Sequence, residues 1–487
     1  MNIYCINHNF LYETEKLLFL FLPFEKNTCL DTFDGDNGDY FYTSISPEGD
    51  DVSFKIEFSY NGQVKSAEKI LPLSKCTDME YELLSLAYPI LKEVCGFAPE
   101  WGMLTGVRPS KLMLNKISES GVDGAKDYFT KRFFATPEKT ELAFSVANTE
   151  LKIINASPEN SFSLYISIPF CPTRCSYCSF VSHAIGTESA NKLVPQYVDK
   201  LCEELAFTSA KVKEAGLKLT TIYWGGGTPT TLSADDLDRV MTVIENNFDM
   251  SSTFEYTVEA GRPDTITNEK LLVLKKHGVN RISINPQTFS DSVLREIGRC
   301  HTAELTIEKY NDARQVGFDS INMDLIAGLP TDTTESFKNS VDKAIELGAE
   351  NITVHTLALK KSSTIVTENE RDRVNADNIG EMLAYSRKAL TENGYKPYYM
   401  YRQSKALGNF ENVGWCKDGK ECAYNILMME EYQHIISVGA GAVTKLLSPG
   451  ITKIERIFNY KYPFEYISRF NELLEKKERI TSFFSEV

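Results

Sequence analysis

The stretch SLYISIPFCPTRCSYCSF, Ser163–Phe180, opens strand-like in SLYISIP and ends in a loop that presents Cys171, Cys175 and Cys178. Three thiols are one short of a closed tetrahedral zinc site. The x3–x2 spacing suits a 4Fe-4S cluster held through three irons, with the fourth iron left without a protein thiolate. An open iron explains stopping at three, because a small molecule can chelate it directly. Two other readings of the loop stand beside this one: a zinc site completed by His183, and unrelated thiols.

C-terminal to this stretch the chain alternates regularly. A helical pattern over 190–215 is followed by TTIYWG and a helix over 233–247, then FEYTVEA and a helix over 268–277. RISINPQ precedes a helix over 303–316, SINMDLIAG a helix over 334–347, and NITVHTLAL closes the series. Strands alternating with helices predict parallel strands joined by right-handed crossovers. Six units are too few for a full eightfold barrel, so a partial, open α/β barrel is expected. In such sheets chemistry gathers at the carboxyl ends of the strands. The three cysteines follow the first strand, Gly225–Gly227 end the second, Glu259 the third, Gln287 the fourth and Asp324 the fifth.

Three regimes are predicted: an N-terminal α+β domain over 1–155, the barrel over 160–390 and a small mixed domain over 391–487. The first carries strand-like MNIYCI, DYFYTSIS and VSFKIEFSY, turns at DGDNGD and NG, and a helix in MEYELLSLAYPILKEVCG that Gly96 stops. NASPENS, Asn155–Ser161, reads as a linker. LLFLFLPF, Leu17–Phe24, is too short to span a bilayer and has no cleavage site behind it, so a buried helix or strand is expected. The net charge of −15 argues against nonspecific nucleic-acid binding. Eleven cysteines, an odd number without paired spacing, suit free thiols in a reducing cytoplasm.

YISIPFCPTRCSYCSF followed by GGGTPT, Gly225–Thr230, resembles the radical S-adenosylmethionine superfamily, in the branch of oxygen-independent coproporphyrinogen III dehydrogenases and the related haem chaperones. GMLTGVRPSKL, Gly102–Leu112, ENVGW and GAGA are similar to its HemZ-type members. The resemblance implies a 4Fe-4S cluster on Cys171, Cys175 and Cys178, with Tyr177 beside it and Tyr165 approaching the S-adenosylmethionine. It implies that Gly226, Gly227 and Thr228 meet the methionine amino group through backbone, where the absence of a side chain permits close approach. Glu259, Gln287, Arg299 and Asp324 then contact the ribose and methionyl parts, Arg299 as a charge-assisted partner of the carboxylate. The implied activity is oxidative decarboxylation of coproporphyrinogen III propionates to vinyl groups. It draws on an external electron donor such as flavodoxin or ferredoxin.

Such a tetrapyrrole bears four carboxylates and needs cations at the rim of its cleft. Arg402 is the foremost candidate, with Lys405, Arg108 and Lys111, while Tyr398, Tyr399 and Tyr401 are candidates for stacking on pyrroles. The chain departs from some dehydrogenases of the branch at two positions. Phe180 stands where they have a fourth cysteine, and Ser167 where they have a histidine. Two alternatives follow: a haem-binding chaperone using an axial ligand such as His355 or His434, or a radical enzyme acting on haem.

Overall fold

Four of the helices that follow strands begin at a Ser or Thr whose side chain accepts the backbone amide three residues on: Ser233, Thr267, Thr302 and Thr333. Two of those helices end at a left-handed glycine, Gly317 and Gly348. These stops set the rhythm of the chain in the computed structural model. It describes residues 1–487 except 24, 34, 36, 37, 181, 187, 361–362, 364–377, 404–405, 452 and 487. Among the described residues no helix is long and apolar enough to cross a membrane.

The chain divides into two units, Met1–Phe144 with Arg402–Phe410, and Ser145–Tyr401 with Glu411–Val487. In the first, β1 (Asn2–Ile6), β2 (Thr28–Leu30), β3 (Tyr40–Glu48), β4 (Asp51–Tyr60) and β5 (Gln63–Pro72) form one sheet in the order β2-β1-β3-β4-β5. Asn61 and Gly62, both with positive φ, close the β4–β5 hairpin. Helices α1 (Leu11–Phe21) and α2 (Met79–Cys95) bury Leu17, Leu18, Leu83 and Leu91 against Phe41, Phe54 and Phe58 of that sheet. The apolar run at Leu17 is thus a core helix, although its last residue, Phe24, lies outside the described residues. Helix α3 (Pro109–Asp127) follows, and α4 (Pro137–Ala156) carries the chain into the second unit.

The second unit is built on one eleven-stranded sheet. Six parallel strands form its centre: β6 (Ser161–Ile168), β9 (Lys218–Gly226), β10 (Glu255–Glu259), β11 (Arg281–Ser283), β12 (Ile321–Ala327) and β13 (Asn351–Thr356). The short pair β7 (Phe170–Cys171) and β8 (His183–Ala184) lies between the first two in sequence. The intervening helices are α5 (Glu188–Glu214), α6 (Ala234–Asn247), α7 (Asn268–Lys276), α8 (Asp291–Glu296), α9 (Ala303–Val316) and α10 (Thr334–Leu347). This is the expected open, partial barrel.

The described residues of 391–487 do not form a sheet of their own. After α11 (Ile379–Glu392), β14 (Lys396–Arg402) and β15 (Glu411–Cys416) extend the sheet at its β13 edge. After α12 (Ala423–Glu430), β16 (His434–Val438) pairs in parallel with β6, and β17 (Val443–Leu447) and β18 (Ile454–Phe458) continue that edge. The chain ends in α13 (Pro463–Ser468), α14 (Phe470–Lys477) and α15 (Arg479–Ser485). The physical reason for two units rather than three is this shared hydrogen-bond ladder, while Arg402–Phe410 packs with the N-terminal unit.

The parallel strands alternate in a consistent sense. Ile222 and Trp224, Tyr256 and Val258, Met323 and Leu325, and Ile352 and Val354 are buried between positions that are mostly polar. The other face carries Ser163, Tyr165, Thr221, Tyr223, Thr257, Glu259, Ser283, Asn322, Asp324, Thr353 and His355, brought side by side by the register. Many of these polar groups satisfy one another: Thr221 donates to Ser163 at 2.6 Å, Asn322 to Ser283 at 2.7 Å and Thr353 to Asn322 at 3.0 Å. A sheet polar on one face and apolar on the other fixes its register and lines an interior fit for chemistry.

Candidate functional site

Glycines at the end of β9 let two backbones meet. A Cβ on Gly227 would lie 2.5 Å from the Phe170 carbonyl oxygen and 2.9 Å from that of Ile168. Gly227 instead donates its amide to Ile168 O at 2.7 Å, and Thr228 donates to Phe170 O at 2.7 Å. Gly226 has φ +99°, a conformation glycine adopts without strain. The glycine run therefore grips the segment that delivers the first cysteine. Across that junction Cys171 Sγ lies 3.6 Å from Thr228 Oγ1.

The rest of the loop is tied down from the α8 side. Ser176 donates its amide to Ile297 O at 3.1 Å, and Thr173 donates its hydroxyl to Gly298 O at 2.9 Å. Two buried guanidiniums accompany the thiols. Arg262 donates from Nη1 to Cys175 Sγ at 3.6 Å and to Thr173 Oγ1 at 3.1 Å, and is itself paired with Asp264 at 2.9 Å. Arg299 donates to Asn285 O at 2.6 Å and to Tyr177 Oη at 3.3 Å, and its buried Nε has no partner among the described residues. Burial pushes the Cys171 thiol up and the Cys178 thiol up to about 11. These thiols become thiolates only when a cation compensates them, which is how metal binding couples to proton release.

No three His, Cys, Asp or Glu side chains among the described residues converge on a single-ion site. An iron–sulfur cluster asks for something else, one thiol for each of three irons. The residues present fit that group: three cysteines on a short, anchored loop, cations beside them to offset thiolate charge, and an unpartnered guanidinium nitrogen.

Glu259 ends β10 and accepts a hydrogen bond from Tyr223 Oη at 2.6 Å. Burial, with the Asp324 charge adding to it, pushes the Glu259 carboxyl up to about 7 despite that bond. Burial acts on Asp324 in the same direction, but His355 and the Asn322 amide, 2.7 Å away, outweigh it and hold Asp324 below the usual range. His355 Nε2 is 3.7 Å from Asp324, and its Nδ1 is 3.4 Å from Tyr401 Oη. Gln287 sits at φ +67° and bridges to β12: its amide donates to Asp324 O at 2.9 Å, and its carbonyl accepts from Ile326 N at 3.0 Å. Tyr165 joins a stack in which the Tyr223 and Tyr424 rings lie 4.3 Å apart, with Tyr165 at 6.3 and 6.1 Å from them.

The parallel strands of one sheet thus carry Tyr165 and Asp324 within them and Gly226 and Glu259 at their ends, and the segments that follow them carry Tyr177, Gly227, Thr228, Gln287, Arg299 and the three cysteines. Asp324, expected at the end of its strand, is inside β12, which runs on to Ala327. Arg402 belongs to the other unit. There its guanidinium donates to the carbonyls of Leu104, Gly106 and Asn409 and lies over Trp101. Tyr398 and Tyr399 are buried in an apolar cluster with Cys416 and Cys422. His434 accepts from Leu447 N at 3.1 Å, and burial pushes its imidazole down to about 4. Lys405 lies outside the described residues.

Sequence reasoning passed over Arg262, Tyr223 and His301. Arg262 had a signal, standing just past the carboxylate that ends β10 in EAGRP. Tyr223 alternates with Gly225 on the inner face. His301, two residues beyond Arg299, is buried, and neither ring nitrogen has a partner among the described residues. Burial, with Arg299 adding to it, pushes His301 down to about 3, so the ring is neutral.

The sequence profile of the radical SAM superfamily matches residues 165–344. The chain is 40% identical to the oxygen-independent coproporphyrinogen-III oxidase-like protein HemZ of Bacillus subtilis, over 80% of this chain and 78% of that one. It is 32% identical to the haem chaperone HemW of Lactococcus lactis, over 65% of this chain and 79% of the chaperone. Among solved structures it resembles the coproporphyrinogen III oxidase HemN of Escherichia coli, a radical SAM enzyme, with a TM-score of 0.52 and 24% identity over 67% of this chain and 72% of that one.

Proposed function

The chain belongs to the radical S-adenosylmethionine superfamily, in the branch of the oxygen-independent coproporphyrinogen III oxidase-like proteins, and from that premise we propose that it oxidatively decarboxylates coproporphyrinogen III in haem biosynthesis. The observation that carries this reading is that three thiols, two buried guanidiniums and two carboxylates of opposed acidity lie on neighbouring parallel strands of one sheet and the segments that follow them.

The superfamily's cofactors are a 4Fe-4S cluster and S-adenosylmethionine. Cys171, Cys175 and Cys178 would hold the cluster, and Gly226, Gly227, Thr228, Tyr177, Glu259, Gln287, Arg299 and Asp324 the S-adenosylmethionine. When bound, the two supply an organic radical that removes a hydrogen atom from carbon. The chain's own residues then have definite tasks. Arg262 and Arg299 offset thiolate charge, and Asp324, kept ionised by His355 and Asn322, accepts hydrogen bonds from hydroxyls. Tyr223 orients Glu259, and the Tyr165–Tyr223–Tyr424 stack keeps water from the reacting carbon. At the substrate, a propionate β-carbon gives up a hydrogen atom, carbon dioxide departs, and the remaining electron passes to an acceptor, leaving a vinyl group. An external reductant such as flavodoxin or ferredoxin supplies the starting electron, in the cytoplasm.

A second reading, haem carriage without decarboxylation, is favoured by the likeness to HemW and by two positions. Phe180 is 63% exposed where some dehydrogenases have a fourth cysteine. Ser167 is committed to Ala440 O at 2.8 Å where they have a histidine. One anaerobic assay separates the readings: reconstituted protein, coproporphyrinogen III, S-adenosylmethionine and reductant. Protoporphyrinogen formation is the expected result. Haem transfer without release of 5′-deoxyadenosine would replace it with the second reading, and deoxyadenosine made only when haem is supplied would point to chemistry on haem itself.

A further inference from the structure

Ser167, four residues ahead of Cys171, is held in a buried polar network that the proposed chemistry does not use. Its carbonyl accepts from Tyr197 Oη at 2.7 Å, and its hydroxyl donates to Ala440 O at 2.8 Å. Tyr197 Oη in turn accepts from Ala440 N at 2.9 Å, and its ring meets Phe170 edge-on at 5.3 Å. Gly439 is packed so closely here that a Cβ would lie 2.4 Å from Ser167 O and 2.5 Å from Tyr197 Oη.

Behind this junction stands a fully buried ion pair, Glu204 of α5 and Lys477, the last residue of α14, 3.2 Å apart. The Glu204 carboxylate also accepts from Gly439 N at 2.8 Å, Tyr466 Oη at 2.7 Å and Asn459 Nδ2 at 2.7 Å. Lys477 donates further to Ser437 O and Thr444 Oγ1. The path continues forward, because Ile168, next after Ser167, is the residue whose carbonyl receives the Gly227 amide. Burying such a pair contributes little net stability, since apolar residues of the same volume serve as well or better. What it does supply is a defined position for every group it bonds.

We infer that Glu204, Lys477 and Tyr197 are positioning residues that fix the base of the cysteine loop, so that the C-terminal helices hold the cluster and glycine run in register. This rests on the assignment of Cys171, Cys175 and Cys178 as cluster ligands.

The test uses full-length protein, purified and reconstituted without oxygen. Two variants are compared with wild type: the double substitution Glu204→Gln with Lys477→Met, which leaves no orphaned charge, and Tyr197→Phe, which removes only a hydroxyl. The readouts are iron per chain, the half-life of the cluster absorbance under a chelator, the S-adenosylmethionine-induced change in the spectrum of the reduced cluster, and urea unfolding of the apoprotein. The expected result is a cluster half-life about tenfold shorter in both variants, with the spectral change weakened, under conditions where the urea curves, shifted by the lost buried hydrogen bonds, still show each apoprotein fully folded. Wild-type half-life and spectral response in Tyr197→Phe would overturn the inference, and that variant decides alone if the double one does not fold. A wild type that takes up no 4Fe-4S cluster would overturn the ligand assignment and this inference with it.

Discussion

Glu259, at the end of β10, and Asp324, in the middle of β12, stand on the strands either side of β11, and their surroundings drive the two carboxyls apart in acidity. Such a split marks a division of labour: one group about half protonated at pH 7, the other a fixed anion. It also carries a stability signature. A carboxyl whose folded pKa is raised binds a proton more tightly when folded. Its contribution is therefore fully present below the unfolded value near 4.5 and is lost as pH rises through about 7. Glu259→Gln removes this dependence. The stability difference between wild type and Glu259→Gln should fall by roughly 2 kcal/mol from pH 4.5 to 7.5, the full shift being softened by partial solvent contact. Urea unfolding of the two apoproteins across that range checks it, and the subtraction cancels the opposite slopes of His301 and His434. A parallel difference at all pH values would show that Glu259 keeps an ordinary acidity. The cysteines make a simpler case. Cys171→Ala, Cys175→Ala and Cys178→Ala should each abolish the brown iron–sulfur absorbance, whereas Cys202→Ala, buried on α5, should leave iron content unchanged. Single loop variants with a full cluster would refute the ligand set.

At the level of elements, the junction of β6, β7 and β9 depends on Gly227, because the carbonyls that crowd it are themselves bonded to the Gly227 and Thr228 amides. The backbone has nowhere to retreat without breaking those bonds. Gly227→Ala should destabilise by about 2–3 kcal/mol and lower cluster incorporation, whereas Gly278→Ala, whose Cβ meets open space, should pay only for its positive φ, about 1 kcal/mol. Thermal denaturation with iron analysis distinguishes them, and equal costs would mean that the close approach is not a constraint. Much of this architecture was legible beforehand. The βα rhythm, the helices over 233–247, 303–316 and 334–347, and the polar strand ends come from local periodicity and caps. Arg262 was legible only by its place after the carboxylate that ends β10, because its task is defined by Cys175 Sγ and Thr173, contacts across the fold that no local pattern encodes. His301 likewise reads as an ordinary residue until burial leaves its two nitrogens without partners.

For the whole molecule, the hard thing to read in sequence is where a segment packs rather than what it forms. YYMYRQSKALGN begins in β14, which runs to Arg402 at the edge of the large sheet, yet Arg402–Phe410 belongs with Met1–Phe144. An arginine flanked by tyrosines and lysine looks like a cation waiting for a propionate. In the fold, the Arg402 guanidinium meets three backbone carbonyls and the Trp101 ring. Charge-assisted bonds to buried carbonyls contribute about 1.5–3 kcal/mol each, and their loss leaves the acceptors unsatisfied. Arg402→Ala should therefore lower the stability of the N-terminal unit by about 3 kcal/mol, and Arg402→Lys by less, since an ammonium reaches fewer of the carbonyls at once. Two measurements decide it together: unfolding of the apoprotein in urea, and the KM for coproporphyrinogen III at a temperature where both variants are folded. Loss of stability with an unchanged KM assigns Arg402 to the framework of its unit. Full stability with a raised KM assigns it to the substrate, as its sequence neighbours suggest.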